Sequence, residues 1–224
     1  MNKDFVIIVQ GGSEYVSQIK EKLKGFNVIF STWVGDENNY LNTDVVIYNE
    51  KPTYTGPANL NLQKITTING LKKAKEMGFK RALKLRSDLI PTNMSELFKS
   101  LDNEDLNFLC WHEHEVYPNC PGYLIDYLMS GDIDDLIKLW DIEDMNWCVV
   151  PEIHLTKQYI DKLLTKKISY FLTVLNENND LYWIKNKIML SSYQVNNRPD
   201  RYNKYTFNVN KDFLNKNYPN FNII

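Results

Sequence analysis

The first 90 residues alternate between short apolar runs and longer amphipathic segments, and this alternation restricts the fold more than any other feature. The run DFVIIVQ has an uninterrupted apolar centre and ends at a Gly-Gly-Ser turn, which is typical of a strand buried on both faces. The order β-α-β-β-α-β predicts an α/β, Rossmann-like fold, in which a mostly parallel sheet is flanked by helices and the crossovers are right-handed. Ser13 is the expected N-cap of the first helix. The predicted elements are strands at 4–10, 26–33, 43–50 and 79–88 and helices at 13–25 and 59–78.

The rest of the chain follows a less regular pattern. The whole chain, 1–224, is predicted to be a single domain with a regular half over 1–90 and an irregular, mixed half with a C-terminal tail over 91–224. The segment 180–195 is compatible with either helix or strand. The other predicted elements are helices at 93–101, 132–141 and 152–167 and strands at 106–116 and 122–131.

Composition and charge exclude several classes of protein. The 224 residues are 43% hydrophobic and 24% charged, and the net charge of -2 gives no strong field to attract nucleic acid or an anionic membrane. Cys110, Cys120 and Cys148 are widely spaced, which indicates neither a disulfide framework nor a CxxC metal site and favours a reducing compartment. The apolar run near the N-terminus has five residues, too few for a signal peptide or a membrane span. We therefore expect a cytoplasmic protein that binds no nucleic acid and has no transmembrane segment.

The carboxyl ends of the predicted parallel strands are where such sheets bind ligands. The first strand ends at Gln10, Gly11 and Gly12, and glycines there let the backbone approach a ligand while the following helix favours an anion. A plain turn between strand and helix is the alternative. The dinucleotide-binding pattern GxGxxG and the P-loop pattern are both absent, which disfavours a Rossmann dehydrogenase and a P-loop NTPase.

The run KLRSD closes the fourth predicted strand with a lone acid, Asp88. Arg86 lies on the same strand face at period two, and Lys84 shares the strand, so a structural salt bridge is one reading. In the other, Asp88 binds Mn²⁺ or Mg²⁺ that bridges a substrate diphosphate, and Arg86 contacts the phosphates. His112 and His114 also share one face of a predicted strand, where either metal binding or simple exposure is possible.

Two further acids and two amides are candidate site residues. Glu152 begins a predicted helix after a proline, where an acid either stabilises the helix dipole or serves as a general base. Asp126, in the strand-like run LIDYLMSGD, is the rival base. Asn61 and Gln63, at the start of the long helix, are either capping groups or ligand contacts.

Taken in this order, the motifs resemble the WavE-type lipopolysaccharide-synthesis family, glycosyltransferase-like proteins of the GT-A kind. The resemblance covers roughly residues 5–160 and is carried by VQGG, STW, NLNLQ, KLRSD, YLMSGDIDDLIKLW and PEIHL. KLRSD matches the family's Lys-x-Arg-[ST]-Asp run, and NLNLQ matches its Asn-x-Asn-x-Gln segment. Leu62 departs from the pattern, because a basic residue is expected there, and this departure puts a phosphate contact in doubt.

The resemblance implies a GT-A-like fold with a nucleotide-binding half over 1–90 and an acceptor-side half over 91–224. Asp88 would stand for the acid of the family's DxD motif and bind Mn²⁺ or Mg²⁺, with Arg86 in place of the first aspartate. Glu152 occupies the Pro-Glu position, and its role as base is our inference. The residues that the resemblance places around the donor are Gln10, Gly11, Thr32, Asn61 and Gln63.

The expected activity is transfer of a hexose-like sugar from a nucleotide-diphosphate sugar to a hydroxyl of a glycan or lipid-linked acceptor, as in polysaccharide biosynthesis. One alternative is a nucleotidyltransferase that makes the activated sugar. The loop GGSEYVSQIK holds two glycines and no early arginine, which disfavours that reading. Another is a non-catalytic module that binds a glycan or a partner, which the single-aspartate motif leaves open.

Overall fold

A computed structural model describes ten stretches of the chain, and the bounds below refer to them. They are residues 4–40, 45–91, 94–101, 106–111, 124–142, 151–163, 165–166, 168–175, 181–185 and 188–195. The predictions made for His112, His114, Cys120 and Cys148 lie outside these residues.

Ten strands and five α-helices occur in the described residues. The strands are β1 (Phe5–Gln10), β2 (Val28–Trp33), β3 (Val46–Asn49), β4 (Arg81–Arg86), β5 (Leu89–Pro91), β6 (Leu106–Trp111), β7 (Leu124–Asp132), β8 (Ile168–Leu175), β9 (Leu181–Lys185) and β10 (Ile188–Val195). The helices are α1 (Val16–Lys22), α2 (Leu60–Glu76), α3 (Met94–Ser100), α4 (Ile133–Trp140) and α5 (Pro151–Leu163). Two short 3₁₀ turns cover Glu37–Tyr40 and Pro57–Asn59.

The strands form one sheet in the order β3-β2-β1-β4-β7-β6-β8-β9-β10-β5. The first four strands in that order are mutually parallel, as the β-α-β pattern predicts. β7 then pairs antiparallel to β4, β6 pairs antiparallel to β7, and β6 and β8 pair in parallel. The α/β fold, with a parallel N-terminal half and a mixed C-terminal half, is therefore confirmed.

The core lies on both faces of the sheet, which explains why β1 is apolar throughout. Ile7 and Val9 pack on the face that α1 and α3 cover, whereas Val6 and Ile8 pack on the face that α2, α4 and α5 cover. Gly70 allows α2 to approach β1 closely, because a Cβ atom there would lie 2.5 Å from Ile8 Cγ2. This close packing fixes the start of α2 beside the carboxyl end of the parallel strands.

Several element boundaries differ from the predictions. The first helix begins at Val16 rather than at residue 13, because the Ser13 hydroxyl accepts a hydrogen bond from Asn39 Nδ2 (2.8 Å) instead of capping the helix. The last predicted helix ends at Leu163 rather than at 167. The segment 180–195, whose pattern was compatible with helix or strand, contains strands β9 and β10. Strands β5 and β8 were not predicted. None of the helices that the structure describes is long and apolar enough to cross a bilayer.

Candidate active site

A cleft opens at the carboxyl ends of β1, β2 and β4, where parallel α/β sheets hold their ligands. Its volume is about 220 Å³, and the start of α2 closes one side. Aromatic, amide and charged side chains all face it, a mixture suited to a polar organic ligand. The lining residues are Gln10, Gly11, Gly12, Glu14, Tyr15, Trp33, Ala58, Asn59, Leu62, Gln63, Arg86, Ser87 and Asp88.

Gly11 brings the loop after β1 against the end of β4. Its φ of +124° favours glycine, and a Cβ atom there would lie 2.6 Å from Ser87 Oγ. The Ser87 amide donates to the Gln10 carbonyl (2.8 Å), which ties the two strand ends together. Nothing lies within 4 Å of the corresponding Cβ position at Gly12. The close approach that the sequence predicted for this glycine pair is therefore made by Gly11 alone, to the protein's own chain.

Arg86 lies at the centre of a charged cluster at the end of β4. Its guanidinium donates two hydrogen bonds to Asp88, from Nε to Oδ1 (2.9 Å) and from Nη2 to Oδ2 (2.6 Å). A third bond runs from Nη1 to Asp126 Oδ2 (3.2 Å), and the guanidinium carbon lies 4.8 Å from the centre of the Tyr127 ring. Burial lowers the pKa of Arg86, but the charges of Asp126 and Asp88 outweigh it and raise that pKa well above its ordinary value.

Lys84 lies buried next to this cluster, on the same strand as Arg86. Its side chain is fully buried, and Nζ donates a hydrogen bond to the backbone carbonyl of Asp126 and lies 5.0 Å from the centre of the Trp140 ring. Burial lowers the pKa of Lys84 to about 7, and the neighbouring Asp126 charge offsets only part of that effect. Because its ammonium is turned away from the cleft, Lys84 holds the strand that carries Asp126 rather than facing a ligand.

Glu152 lies in the first turn of α5, which packs against β7. The Thr156 hydroxyl of α5 accepts a hydrogen bond from the Leu124 amide of β7 (3.1 Å), which connects the two elements, and donates one within α5 to the Glu152 carbonyl (2.8 Å). Burial, with a smaller contribution from the Asp126 charge, raises the pKa of Glu152 to about 7. A carboxyl group with that pKa accepts and releases protons near neutral pH, as general catalysis requires.

The start of α2 presents strained backbone and buried acceptors to the cleft. Ala58 and Asn59 have φ angles of 47° and 63°, in the left-handed region that asparagine tolerates and alanine rarely adopts. Gln63 lines the cleft with 9% of its surface exposed, and its Oε1 has no hydrogen-bond partner among the described residues. Asn61 Oδ1 is likewise without a partner there, while its Nδ2 donates to the Tyr54 carbonyl (3.1 Å). A ligand N–H or O–H is the natural partner for the Gln63 oxygen.

The structure separates the predicted donor-binding residues into two groups. Gln10, with its Oε1 accepting from the Thr66 hydroxyl (2.7 Å), lines the cleft together with Gly11, Gly12, Gln63 and Arg86. Thr32, Asn61 and Lys84 are buried behind the wall instead. The Thr32 hydroxyl donates to Asp36 Oδ2 (2.5 Å) and not toward the cleft.

Four further residues of the cleft wall were not among the predicted donor contacts. Trp33 and Tyr15 supply its aromatic surface, and Leu62 and Ser87 complete it. Trp33 and Ser87 lie at the carboxyl ends of predicted strands, and Leu62 stands where the resemblance expects a basic residue. Tyr15 carried no such signal, because its position depends on how α1 packs.

The arrangement of Asp88 does not fit the Mn²⁺ or Mg²⁺ expected from the sequence. Both of its carboxylate oxygens are bound by Arg86, and the nearest second acid in the cluster, Asp126, is bound by the same guanidinium. A divalent cation takes several oxygen ligands, and a fixed positive charge beside them repels it. Within the described stretches, no three His, Cys, Asp or Glu residues are grouped so that they could hold a metal ion.

No protein-family model and no curated protein matches this chain. Among solved structures, it is similar to a glycosyltransferase involved in the glycosylation of the major capsid of PBCV-1. That similarity has 13% sequence identity and a TM-score of 0.45, and it covers 75% of this chain and 80% of the other. At this sequence identity, the similarity concerns the fold alone and says nothing about activity. The resemblance to the WavE-type family has no counterpart among these matches and stays an interpretation of the sequence.

Proposed function

We propose that this protein is a glycosyltransferase that moves a sugar from a nucleotide-diphosphate sugar to a hydroxyl of a glycan or lipid-linked acceptor. One observation carries the proposal: the cleft at the strand ends is lined by the guanidinium of Arg86, which two carboxylates hold in place. Glu152 lies outside the cleft lining, but its charge interacts with Arg86 and Asp126, and its raised pKa of about 7 suits a general base. Transfer from a diphosphate donor needs a cation at the leaving group and a base at the acceptor.

The cleft wall fits the donor. Trp33 and Tyr15 offer flat apolar surface to a nucleobase or a sugar ring, and the Gln63 oxygen accepts from a hydroxyl or a ring N–H. Arg86 and Ser87 line the same cleft. In the proposed complex the nucleoside lies against Trp33 and Tyr15, and the diphosphate lies against the guanidinium of Arg86.

Arg86 and Glu152 can account for both the leaving group and the acceptor proton in the transfer step. The acceptor oxygen forms a bond to the anomeric carbon, the bond from that carbon to the diphosphate oxygen breaks, and the acceptor proton goes to the carboxylate of Glu152. Arg86 stabilises the negative charge that develops on the diphosphate. Of the two acids predicted as base, Asp126 is only 1% exposed and is bound to Arg86. Glu152 is half-buried and therefore more accessible than Asp126, so we assign the role of base to Glu152.

The proposal is tested by incubating the purified protein with a panel of nucleotide-diphosphate sugars and measuring release of the nucleoside diphosphate. We expect one donor class to be hydrolysed slowly and to raise the melting temperature. Glu152→Gln should abolish turnover while keeping donor binding, and Glu21→Gln, an exposed change on α1, should leave both unchanged.

Two results would support the alternatives instead. Release of pyrophosphate from a nucleoside triphosphate and a sugar phosphate indicates a nucleotidyltransferase. Binding of glycans without binding or turnover of any nucleotide indicates a non-catalytic module.

A further inference from the structure

The guanidinium of Arg86 is held rigidly, yet part of it remains available. Its bonds to Asp88 and Asp126 use three of the five N–H groups of an arginine, which leaves two. The ring of Tyr127 covers one face, and 19% of the side chain is exposed at the cleft. A planar fork fixed in this way is suited to the oxygens of a phosphate.

Both acids of the cluster already have a cation of the protein as a hydrogen-bond partner. Arg86 donates two hydrogen bonds to Asp88 and one to Asp126. Asp126 is only 1% exposed. In a site for a divalent cation, by contrast, the carboxylates face the ion, and the ion compensates their charge.

A divalent cation at Asp88 would compete with two hydrogen bonds from Arg86 and would lie beside its positive charge. Tyr127 and Asp126 also contact the guanidinium, so moving it away from such a cation would break these contacts. The same guanidinium already offers positive charge where the diphosphate would lie.

From this geometry we infer that Arg86, fixed between Asp88 and Asp126, takes the place of a divalent cation and binds the donor diphosphate without metal. The inference rests on the proposed function, because it concerns the diphosphate of the proposed donor. It assigns Asp88 to holding Arg86 rather than to ligating a metal, and it makes Arg86 the group that neutralises the leaving diphosphate.

The test measures the affinity of the full chain for ADP, GDP, UDP, CDP and TDP by titration calorimetry, once with EDTA and once with Mn²⁺. We expect one nucleoside diphosphate to bind with the same affinity, within about threefold, in both conditions. Charge-assisted hydrogen bonds give Arg86→Gln a loss of roughly 10- to 100-fold. Lys73→Gln, which removes an exposed positive charge at the end of α2, serves as the control and should bind like the wild type.

Arg86→Gln leaves two carboxylates without their cation and could unfold the chain. Arg86→Lys keeps the charge and loses the planar fork, so it should fold and still lose at least about tenfold in affinity. Asp88→Asn keeps the shape of the side chain and should leave the affinity insensitive to EDTA.

The outcomes distinguish the inference from the proposed function. Binding that requires Mn²⁺ and disappears in Asp88→Asn overturns the inference but leaves a glycosyltransferase with Asp88 as the metal acid. Equal affinity for Arg86→Lys and the wild type in EDTA also overturns it. Binding of no nucleoside diphosphate in either condition overturns the proposed function itself.

Discussion

Replacing Glu152 by glutamine should stabilise the protein while inactivating it. Glutamine keeps the size of the side chain and removes the charge that burial and Asp126 disfavour. Those causes raise the pKa of Glu152 from 4.5 to about 7. Between pH 4.5 and about 7, Glu152 therefore keeps its proton in the folded protein and loses it in the unfolded chain. The wild type therefore loses stability as the pH rises through this window, and the variant does not.

The magnitude follows from the two pKa values. At pH 8 the wild type carries a cost of roughly 3 kcal/mol for ionising Glu152 in the folded state, and at pH 5 less than about 1 kcal/mol. Glu152→Gln should thus exceed the wild type in free energy of unfolding by roughly 3 kcal/mol at pH 8 and by little at pH 5. Comparing the two proteins at each pH cancels the contribution of other titrating groups.

Urea unfolding followed by circular dichroism at both pH values measures these differences. The matched control is Glu21→Gln, the same substitution at an exposed position of α1. In parallel, wild-type turnover should rise with pH through about 7, as expected when the base must be deprotonated, and the variant should show no such rise. A stability difference between Glu152→Gln and wild type that is equal at pH 5 and pH 8 would refute the reasoning.

Three other changes probe the cluster and the cleft wall. Gly11→Ala places a Cβ atom 2.6 Å from Ser87 Oγ and should cost about 1–3 kcal/mol and weaken nucleotide binding, whereas Gly12→Ala, with open space around it, should do neither. Asp126→Asn removes a buried carboxylate from its guanidinium partner and should lower the free energy of unfolding by about 3 kcal/mol in a urea titration. Gln63→Leu should weaken nucleotide binding about tenfold and hardly lower the melting temperature, because Oε1 has no partner in the described structure and Nε2 donates only one long hydrogen bond, to the Ala58 carbonyl (3.4 Å). A lowered melting temperature with unchanged affinity would contradict the role given to Gln63.

The parallel half of the fold could be predicted because local patterns determine it. The apolar run of β1 is continuous since both of its faces are buried, and the pairing of Arg86 with Asp88 follows from their spacing of two on one strand. The contact of Arg86 with Asp126 could not be predicted in this way. It joins residues 40 positions apart and depends on β7 running antiparallel beside β4, which no local pattern specifies.

The errors at the cleft wall have a similar origin. Thr32 and Trp33 are neighbours at the end of β2, and consecutive side chains on a strand point to opposite faces, so only one of them can face the cleft. The structure turns Thr32 inward to Asp36 and gives the wall to Trp33. Which face looks onto the cleft is decided by the packing of α2, and the same packing brings in Leu62.

β4 is the strand where the parallel and antiparallel parts of the sheet meet, and this has a consequence for synthesis of the chain. Lys84 and Arg86 are made about 40 residues before Asp126, to which both are bonded in the folded protein. A nascent chain on the ribosome therefore carries an open strand edge and two basic side chains that lack their hydrogen bonds to Asp126 until β7 has emerged. Open edges of this kind are the surfaces by which partly made chains aggregate or are captured by chaperones. The charged cluster closes only when β7 pairs with β4, so a chain that stops before residue 124 cannot assemble it.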